Sequence, residues 1–489
     1  MTKHEIDEFL EENQHIERIM RHAFKLPDSF CYRLPPQKIS AEELRSCSFE
    51  KISETPGGEV FSSVHGQIRQ MLVTYPIYSP GELIYKNTLT DLLKKMSGVD
   101  FFVYTECPPG TVHVARRYAH VKAHLEEMQR NFEKNGRKIQ FIYSRYNHFS
   151  CWVRDPFLMG YTHSDTDGKV KSVCIEPNEF IRESNVELTG PTVTDAQIAD
   201  EIVMQRAHQF SLLNSPLIFH GGNVLVGDNF MLIGKDYFNM ERKVRKQLIS
   251  KKETLQKAMS LSLKPHDIKC DFQHWLSPKD QKRIILLGKK RPENFKMPAL
   301  DQYNRDVFSR CPIGNRQPFF HLDLFLTLAG RQSEGGAYRV LVSRIENASD
   351  VSSQELEEQF IQPWNAWIGH IADDLAQSGF EISYLPMPLI YGKHLDYENR
   401  RDWFVLSYNN CLVEIGQSGS QVWMPTYGTG LANHSPFELG TGKLDDFDRQ
   451  AEQCFRNLGF DVHRLMNYLP HMLYGGSVHC LTNCLLRDT

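Results

Sequence analysis

From about residue 66 onward, short apolar runs alternate with longer stretches of helical periodicity, and this alternation restricts the chain to an α/β architecture. Phe101-Phe102-Val103-Tyr104, Ile139-Gln140-Phe141-Ile142-Tyr143, Val340-Leu341-Val342, Glu381-Ile382-Ser383-Tyr384-Leu385 and Trp403-Phe404-Val405-Leu406 have the length and residue content of strands. Helical patterns lie between them at about 114–134, 354–378 and 446–458. Asn223-Val224-Leu225-Val226 and Phe230-Met231-Leu232-Ile233, on either side of Gly227-Asp228-Asn229, read as a hairpin. Strand-strand-helix-strand units fit this text, although no internal sequence repeat marks them.

Residues 1–65 read as an N-terminal extension, helical from His4 to Leu26 through Ile6, Phe9, Leu10, Ile16, Ile19 and Met20. Pro35-Pro36 and Pro56-Gly57-Gly58 mark loops beyond that helix. The remainder, 66–489, is expected to be one catalytic domain. A hydrophobic share of 41% with 24% charged residues provides ample core, and no apolar run is long enough for a membrane span. Eleven scattered cysteines form no disulfide framework, and Met1-Thr2-Lys3-His4-Glu5 does not begin a signal peptide, so a cytoplasmic location is expected. Export without a cleavable signal stays open. The charge is uneven: Arg242 to Lys296 holds sixteen Lys and Arg against five Asp and Glu. This basic insertion, about 242–298, reads either as a solvated helical segment or as a surface for an anionic partner.

The chemistry concentrates in four segments. Gly475-Gly476-Ser477-Val478-His479-Cys480-Leu481-Thr482-Asn483 puts a cysteine behind a Gly-Gly turn and ahead of a strand, with room for a substrate beside it. A lone cysteine is usually a small core residue. In Cys151-Trp152-Val153-Arg154-Asp155-Pro156-Phe157 the proline disfavours helix at Asp155, whose carboxylate either binds a cation or pairs locally with Arg154. Phe319-Phe320-His321-Leu322-Asp323-Leu324-Phe325-Leu326 carries two polar groups at i and i+2, which share one face of a strand. They are an acid/base unit or a self-satisfied structural pair. In Ile218-Phe219-His220-Gly221-Gly222-Asn223 two glycines permit close backbone approach. Gly440-Thr441-Gly442-Lys443-Leu444 lacks the rest of a phosphate loop, Cys480 and Cys484 lack a second ligand pair for structural zinc, and no Gly-x-Ser-x-Gly elbow occurs.

Taken in order, Trp-Val-Arg-Asp-Pro, x-Gly-Gly-Asn, His-Leu-Asp and Gly-Gly-x-x-His-Cys-x-Thr resemble the guanidino-group-modifying (pentein) superfamily of deiminases and amidinotransferases. Ser407-Tyr408-Asn409 and Met424-Pro425-Thr426-Tyr427-Gly428 resemble its agmatine-deiminase-type members. The resemblance implies a five-bladed α/β propeller of ββαβ units with the site on its axis. It implies Cys480 as nucleophile, His321 as general acid and base, and Asp155 and Asp323 as grips on the guanidinium. Trp152 and Asn223 would contact substrate, and neither a metal nor an organic cofactor is required. The substrate would be a small guanidino compound or a protein arginine side chain. Hydrolysis to a ureido product is the leading expectation, with amidino transfer and a catalytically silent binding protein as alternatives. One departure stands out: many members carry an acid before the Gly-Gly of the second motif, where it orients the catalytic histidine. Here that residue is His220, either a hydrogen-bonding substitute or a core histidine. Free-arginine deiminases carry an arginine just before the nucleophile segment. Here His471-Met472-Leu473-Tyr474-Gly475 has none, which favours a substrate without a free α-carboxylate.

Overall fold

The computed structural model describes residues 58–75, 82–106, most of 123–144, 149, 151–163, 170–177, 195, 197–250, 268–292, 316–349 and 354–394. It also describes 401–428 except 418, 437–438, 443–472 except 467, and 475–488. The helix expected at His4 to Leu26 and the loops at Pro35-Pro36 and Pro56 lie outside these residues, as does much of the 114–134 pattern, of which 129–133 are helical.

The described strands form five small mixed sheets. Strand β1 (Glu59–Val60) precedes β2 (Ile68–Tyr75); helix α1 (Glu82–Lys95) then leads to β3 (Asp100–Glu106), parallel to β2, and β4 (Ile139–Ser144) continues that sheet in parallel. β5 (Leu158–His163) and β6 (Val170–Glu176) are antiparallel, and α2 (Ile198–Gln205) returns the chain to β7 (Phe210–Asn214), parallel to β6. β8 (Val224–Val226) and β9 (Phe230–Gly234) pair the same way. After α3 (Lys235–Ser250) and α4 (Ile268–Leu276), β10 (Arg283–Leu287) lies parallel to β9. β11 (Leu326–Arg331) pairs with β12 (Tyr338–Asn347), α5 (Gln362–Gln377) follows, and β13 (Phe380–His394) runs parallel to β12 with β14 (Arg401–Val405) on its far edge. β15 (Leu412–Gly416), β16 (Gly419–Pro425), α6 (Leu444–Asn457) and β18 (Phe460–Leu465) repeat the pattern, while the short β17 (Phe437–Glu438) adds to β13. The last strand, β19 (Thr482–Arg487), lies antiparallel to β2 and so gives the first sheet its antiparallel pair. Each sheet thus holds an antiparallel pair, a helix in the connection and a parallel strand, the order expected when a helix carries the chain back across a sheet.

The helices follow their apolar spacing. On α5, Trp364, Trp367, Ile368, Ile371 and Leu375 are buried at i, i+3, i+4, i+7 and i+11. Leu444, Phe447, Asp448, Ala451 and Phe455 repeat that spacing on α6. Each fully buried large side chain contributes roughly 1.5–3 kcal/mol of apolar burial, and the core that includes these faces runs through the first, third, fourth and fifth sheets.

Two boundaries differ from the sequence reading. β1 falls within the segment expected as an extension, and its pairing with β5 carries the body of the fold back to Glu59. The segment expected as a basic insertion supplies α4 and β10, the helix and parallel strand of the third sheet. Within it Lys282 is buried against Glu59 at 3.0 Å, so this lysine is part of the fold's interior. A third correction concerns Phe319–Leu326: only Leu326 belongs to a strand. Leu322–Leu324 is a single 3₁₀ turn with His321 extended ahead of it. The run is apolar because the turn is enclosed on all sides, and such enclosure reads as a buried strand.

Candidate active site

Five turns, each just ahead of the first strand of an antiparallel pair, carry the side chains of interest. Asp155 precedes β5, His220 precedes β8, His321 and Asp323 precede β11, Asn410 precedes β15 and Cys480 precedes β19. Hydrogen bonds join these turns in succession. The Arg154 amide donates to the Cys480 carbonyl at 3.2 Å, and the Gly221 amide donates to the Asp155 carbonyl at 3.2 Å. The His220 and His321 rings meet at 3.0 Å between Nδ1 and Nε2. The Ser407 hydroxyl donates to the Leu324 carbonyl, and the His479 amide donates to the Asn410 carbonyl at 3.3 Å, which returns to the Cys480 turn.

Cys480 is buried, and its sulfur meets two partners: Asn410 Nδ2 donates to it at 3.0 Å, and Asp323 Oδ2 lies at 3.6 Å. Asn410 Oδ1 accepts from the Ser477 amide at 2.8 Å and from the Cys480 amide at 3.2 Å, so one asparagine fixes the whole cysteine turn. Burial pushes the Cys480 thiol well above its ordinary pKa, and the carboxylates of Asp323 and Asp155 push it further, against a smaller opposing effect of the Asn410 bond. Beside it, a Cβ on Gly476 would stand 2.5 Å from the Trp152 ring and 3.0 Å from Cys480 Cβ. Glycine there leaves room for the half-buried indole beside the cysteine turn.

His321 is fully buried. Its Nδ1 faces Asp155 Oδ1 at 3.5 Å, and its Nε2 faces His220, whose Nδ1 also meets the Tyr237 hydroxyl at 2.7 Å. If His220 Nδ1 is bare it accepts from both neighbours, and His321 then carries a proton on Nε2. If it is protonated, it donates to His321 and to the phenol oxygen. Only the first arrangement admits a charged His321; the second requires its Nε2 to be bare and the ring neutral.

Asp323 Oδ2 accepts from His479 Nδ1 at 2.7 Å. His479 is held below its ordinary pKa, first by burial and then by the Arg154 charge, against the raising effect of Asp323. Asp323 Oδ1 is buried and has no hydrogen-bond partner among the described residues. Gly222 completes the enclosure: a Cβ there would lie 2.7 Å from His321 Nδ1 and 2.9 Å from Asp323 Oδ2.

The structure therefore gathers Asp155, His220, His321, Asp323, Cys480 and Trp152, residues more than 300 positions apart in sequence at the extremes. Asn223, expected at the substrate, turns elsewhere. It is fully buried, its Nδ2 donates to the Gly234 carbonyl at 3.4 Å, and its Oδ1 accepts from Gln317 at 2.8 Å, which ties its turn to the end of β9. Asn410, His479 and Tyr237 carried no individual role in the sequence reading. His479 had a signal, since it stands beside Cys480 in the Gly-Gly-x-x-His-Cys pattern; Asn410 and Tyr237 had none beyond their polarity.

Comparison with solved structures decides the fold. A structure assigned as an agmatine deiminase superposes with a TM-score of 0.53 at 15% identity, covering 90% of this chain and 99% of that one. The agmatine deiminase of Enterococcus faecalis superposes with a TM-score of 0.51 at 12% identity over 90% and 99%. The chain has the pentein fold. A dimethylarginine dimethylaminohydrolase matches more loosely, with a TM-score of 0.34 at 12% identity over 85% and 99%. No protein-family model matches the sequence. No curated protein matches it either. Among the described residues no helix is long and apolar enough to cross a membrane.

Proposed function

We propose that this chain is a cysteine-dependent hydrolase that converts a guanidino group to a ureido group with release of ammonia. One observation carries the reading: a buried thiol lies within electrostatic reach of two carboxylates, and an imidazole faces one of them. Two negative groups oppose a thiolate, so the site favours a cation before it favours a nucleophile. A guanidinium held by Asp155 and Asp323 cancels that repulsion, and the thiol then ionises beside the carbon it attacks. Asp323 Oδ1, lacking a partner among the described residues, is suited to accept a guanidinium N–H, and the Trp152 ring is suited to stack on the guanidinium plane.

In this mechanism the Cys480 proton passes to His321, and the sulfur adds to the guanidinium carbon. His321 returns the proton to one nitrogen, the C–N bond breaks and ammonia leaves an S-alkylthiouronium on Cys480. His321 then takes a proton from water as its oxygen adds to the same carbon. The C–S bond breaks, and the thiol and a ureido product are released.

The substrate favoured is one without a free α-carboxylate. His471, the basic residue of the segment that lacks the family's arginine, is buried, its Nε2 lies 3.1 Å from the Thr88 hydroxyl, and burial holds its pKa down to about 3. A neutral core imidazole is no clamp for a carboxylate. The test incubates the reduced full-length protein with agmatine, free arginine and an arginine peptide, without an acceptor amine, and measures ureido product and ammonia. Product from agmatine or the peptide in preference to arginine is expected. Amidino transfer would instead require an added amine, and no product with or without one overturns the proposal.

A further inference from the structure

The exchange of an acid for His220 does more than alter the hydrogen bonding of His321. It assembles two imidazoles and a carboxylate at one point. One ligand atom each from Asp155, His220 and His321 lies within 4.8 Å of the others. The two ring nitrogens that face each other, His220 Nδ1 and His321 Nε2, are 3.0 Å apart, and Asp155 Oδ1 is 3.5 Å from the remaining nitrogen of His321. Two imidazoles and a carboxylate are a donor set for zinc-like divalent ions, with ligand bonds of about 2.0–2.2 Å and neighbouring ligands roughly 3.3 Å apart in a tetrahedral shell. The facing imidazole nitrogens, 3.0 Å apart, already stand near that spacing, and Asp155 lies within the 4.8 Å that bounds the set. With an acid in place of His220, the same point would carry two carboxylates and one imidazole, a harder donor set.

The backbone supports such a site. His220 and His321 occupy equivalent places, each extended ahead of a 3₁₀ turn, and the Gly221 amide bond to the Asp155 carbonyl fixes the third ligand's turn beside the first. The Tyr237 hydroxyl, 2.7 Å from His220 Nδ1, shares that nitrogen and must release it to an ion.

We propose that Asp155, His220 and His321 bind one divalent transition-metal ion of zinc-like preference, and that its binding shuts the site to guanidinium. The ion occupies the imidazole assigned to proton transfer and one of the two carboxylates assigned to the substrate. The binding claim stands on the ligand geometry alone; the inhibition clause rests on the hydrolase reading.

The test uses the full-length protein in a non-thiol reductant. Titration with Co²⁺ is expected to give one tight site per chain with visible ligand-field absorption. X-ray absorption of the zinc-loaded wild-type protein is expected to show imidazole and oxygen ligands without sulfur, a readout that needs no variant. Binding is expected to weaken at least tenfold in His220→Gln and in Asp155→Asn, and to persist in Cys480→Ser. Absence of a stoichiometric site, a shell containing sulfur, or undiminished affinity in a folded His220→Gln protein overturns the proposal. A protein that binds the metal yet forms no ureido product from any guanidino compound retains this site and overturns the hydrolase reading instead. Inhibition of ureido formation in proportion to metal occupancy supports both.

Discussion

The turn at His220 and the turn at His321 have nearly the same backbone and opposite contents. Each histidine is extended, at φ −119°, ψ 143° and φ −123°, ψ 150°, and each leads into a three-residue 3₁₀ turn before the first strand of a sheet. Two positions on, one turn has Gly222 and the other Asp323. The glycine's missing Cβ is the space into which His321 and Asp323 project. One turn presents two polar side chains, and its neighbour leaves the space they occupy. Equivalence of backbone therefore says little about equivalence of role; which side chains fill the gap between turns decides it.

The sharpest way to break the comparison is to remove each imidazole in turn. If only the fourth-sheet histidine transfers protons, His321→Gln lowers ureido formation by about 10³-fold, within the range of general acid-base catalysis. His220→Gln, which removes a hydrogen bond to that imidazole, lowers it by about tenfold. Equal losses in the two variants, measured as initial rates at saturating substrate, would show that the two turns are not divided in this way. Next in size is Gly222→Ala. Its new Cβ meets His321 Nδ1 and Asp323 Oδ2 at under 3 Å, so one of them must move. A displacement of that order costs about 10² in rate. Thermal unfolding separates loss of position from loss of fold.

Asp323→Asn sharpens the contrast by separating two effects of one carboxylate. With Cys480 held well above its ordinary pKa, the thiol is protonated through neutral pH, and its thiolate fraction rises about tenfold per pH unit. Alkylation by uncharged iodoacetamide, followed at Cys480 by mass spectrometry, is therefore expected to climb past pH 9 without a plateau. Removing the Asp323 charge lowers the thiol's pKa and leaves more thiolate at pH 8. Alkylation of Asp323→Asn at that pH is therefore expected to be faster, about tenfold if the pKa falls by one. Its ureido formation falls at the same time. Slower alkylation in that variant would remove the electrostatic basis of the proposed function.

The repeating architecture was legible in sequence where strands carry short runs of β-branched, aromatic and leucine residues. Val340–Val342 and Glu381–Leu385 lie inside β12 and β13, and 354–378 and 446–458 coincide with the helical stretches around α5 and α6, whose apolar spacing is regular. Legibility failed where burial and secondary structure part company. Phe319–Leu326 is as apolar as a strand but is a turn walled in by its neighbours. The polar α1, with weaker periodicity, and the basic stretch that supplies α4 and β10 gave no clear pattern. Of the site, Cys480, Asp155, His321 and Asp323 stood out because polar groups in apolar or glycine-rich company need a reason to be there. Asn410 did not, because an Asn-Asn pair ahead of a strand is ordinary turn chemistry. Asn223, expected at the substrate from the resemblance, has its amide engaged by Gly234 and Gln317, partners that no local pattern announces.

The smallest expected effect bears on which of the two histidines holds the shared proton. Tyr237 lies in the first turn of α3, and its hydroxyl and the His321 ring both address His220 Nδ1. When that nitrogen is bare, the phenol competes with His321 for its lone pair. Tyr237→Phe ends the competition, His321 keeps its Nε2 proton more firmly, and ureido formation persists to higher pH with a change of only a few-fold in its maximum. When the nitrogen is protonated, the phenol instead shares its hydrogen with His321, and the same substitution strengthens the bond to a neutral His321. The pH profile then moves down. An upward displacement is expected, because the mechanism requires His321 to carry charge as ammonia departs, and the bare His220 is the arrangement that accepts from it. A downward displacement would assign the shared proton to the third-sheet turn and reverse the division of labour between the two histidines.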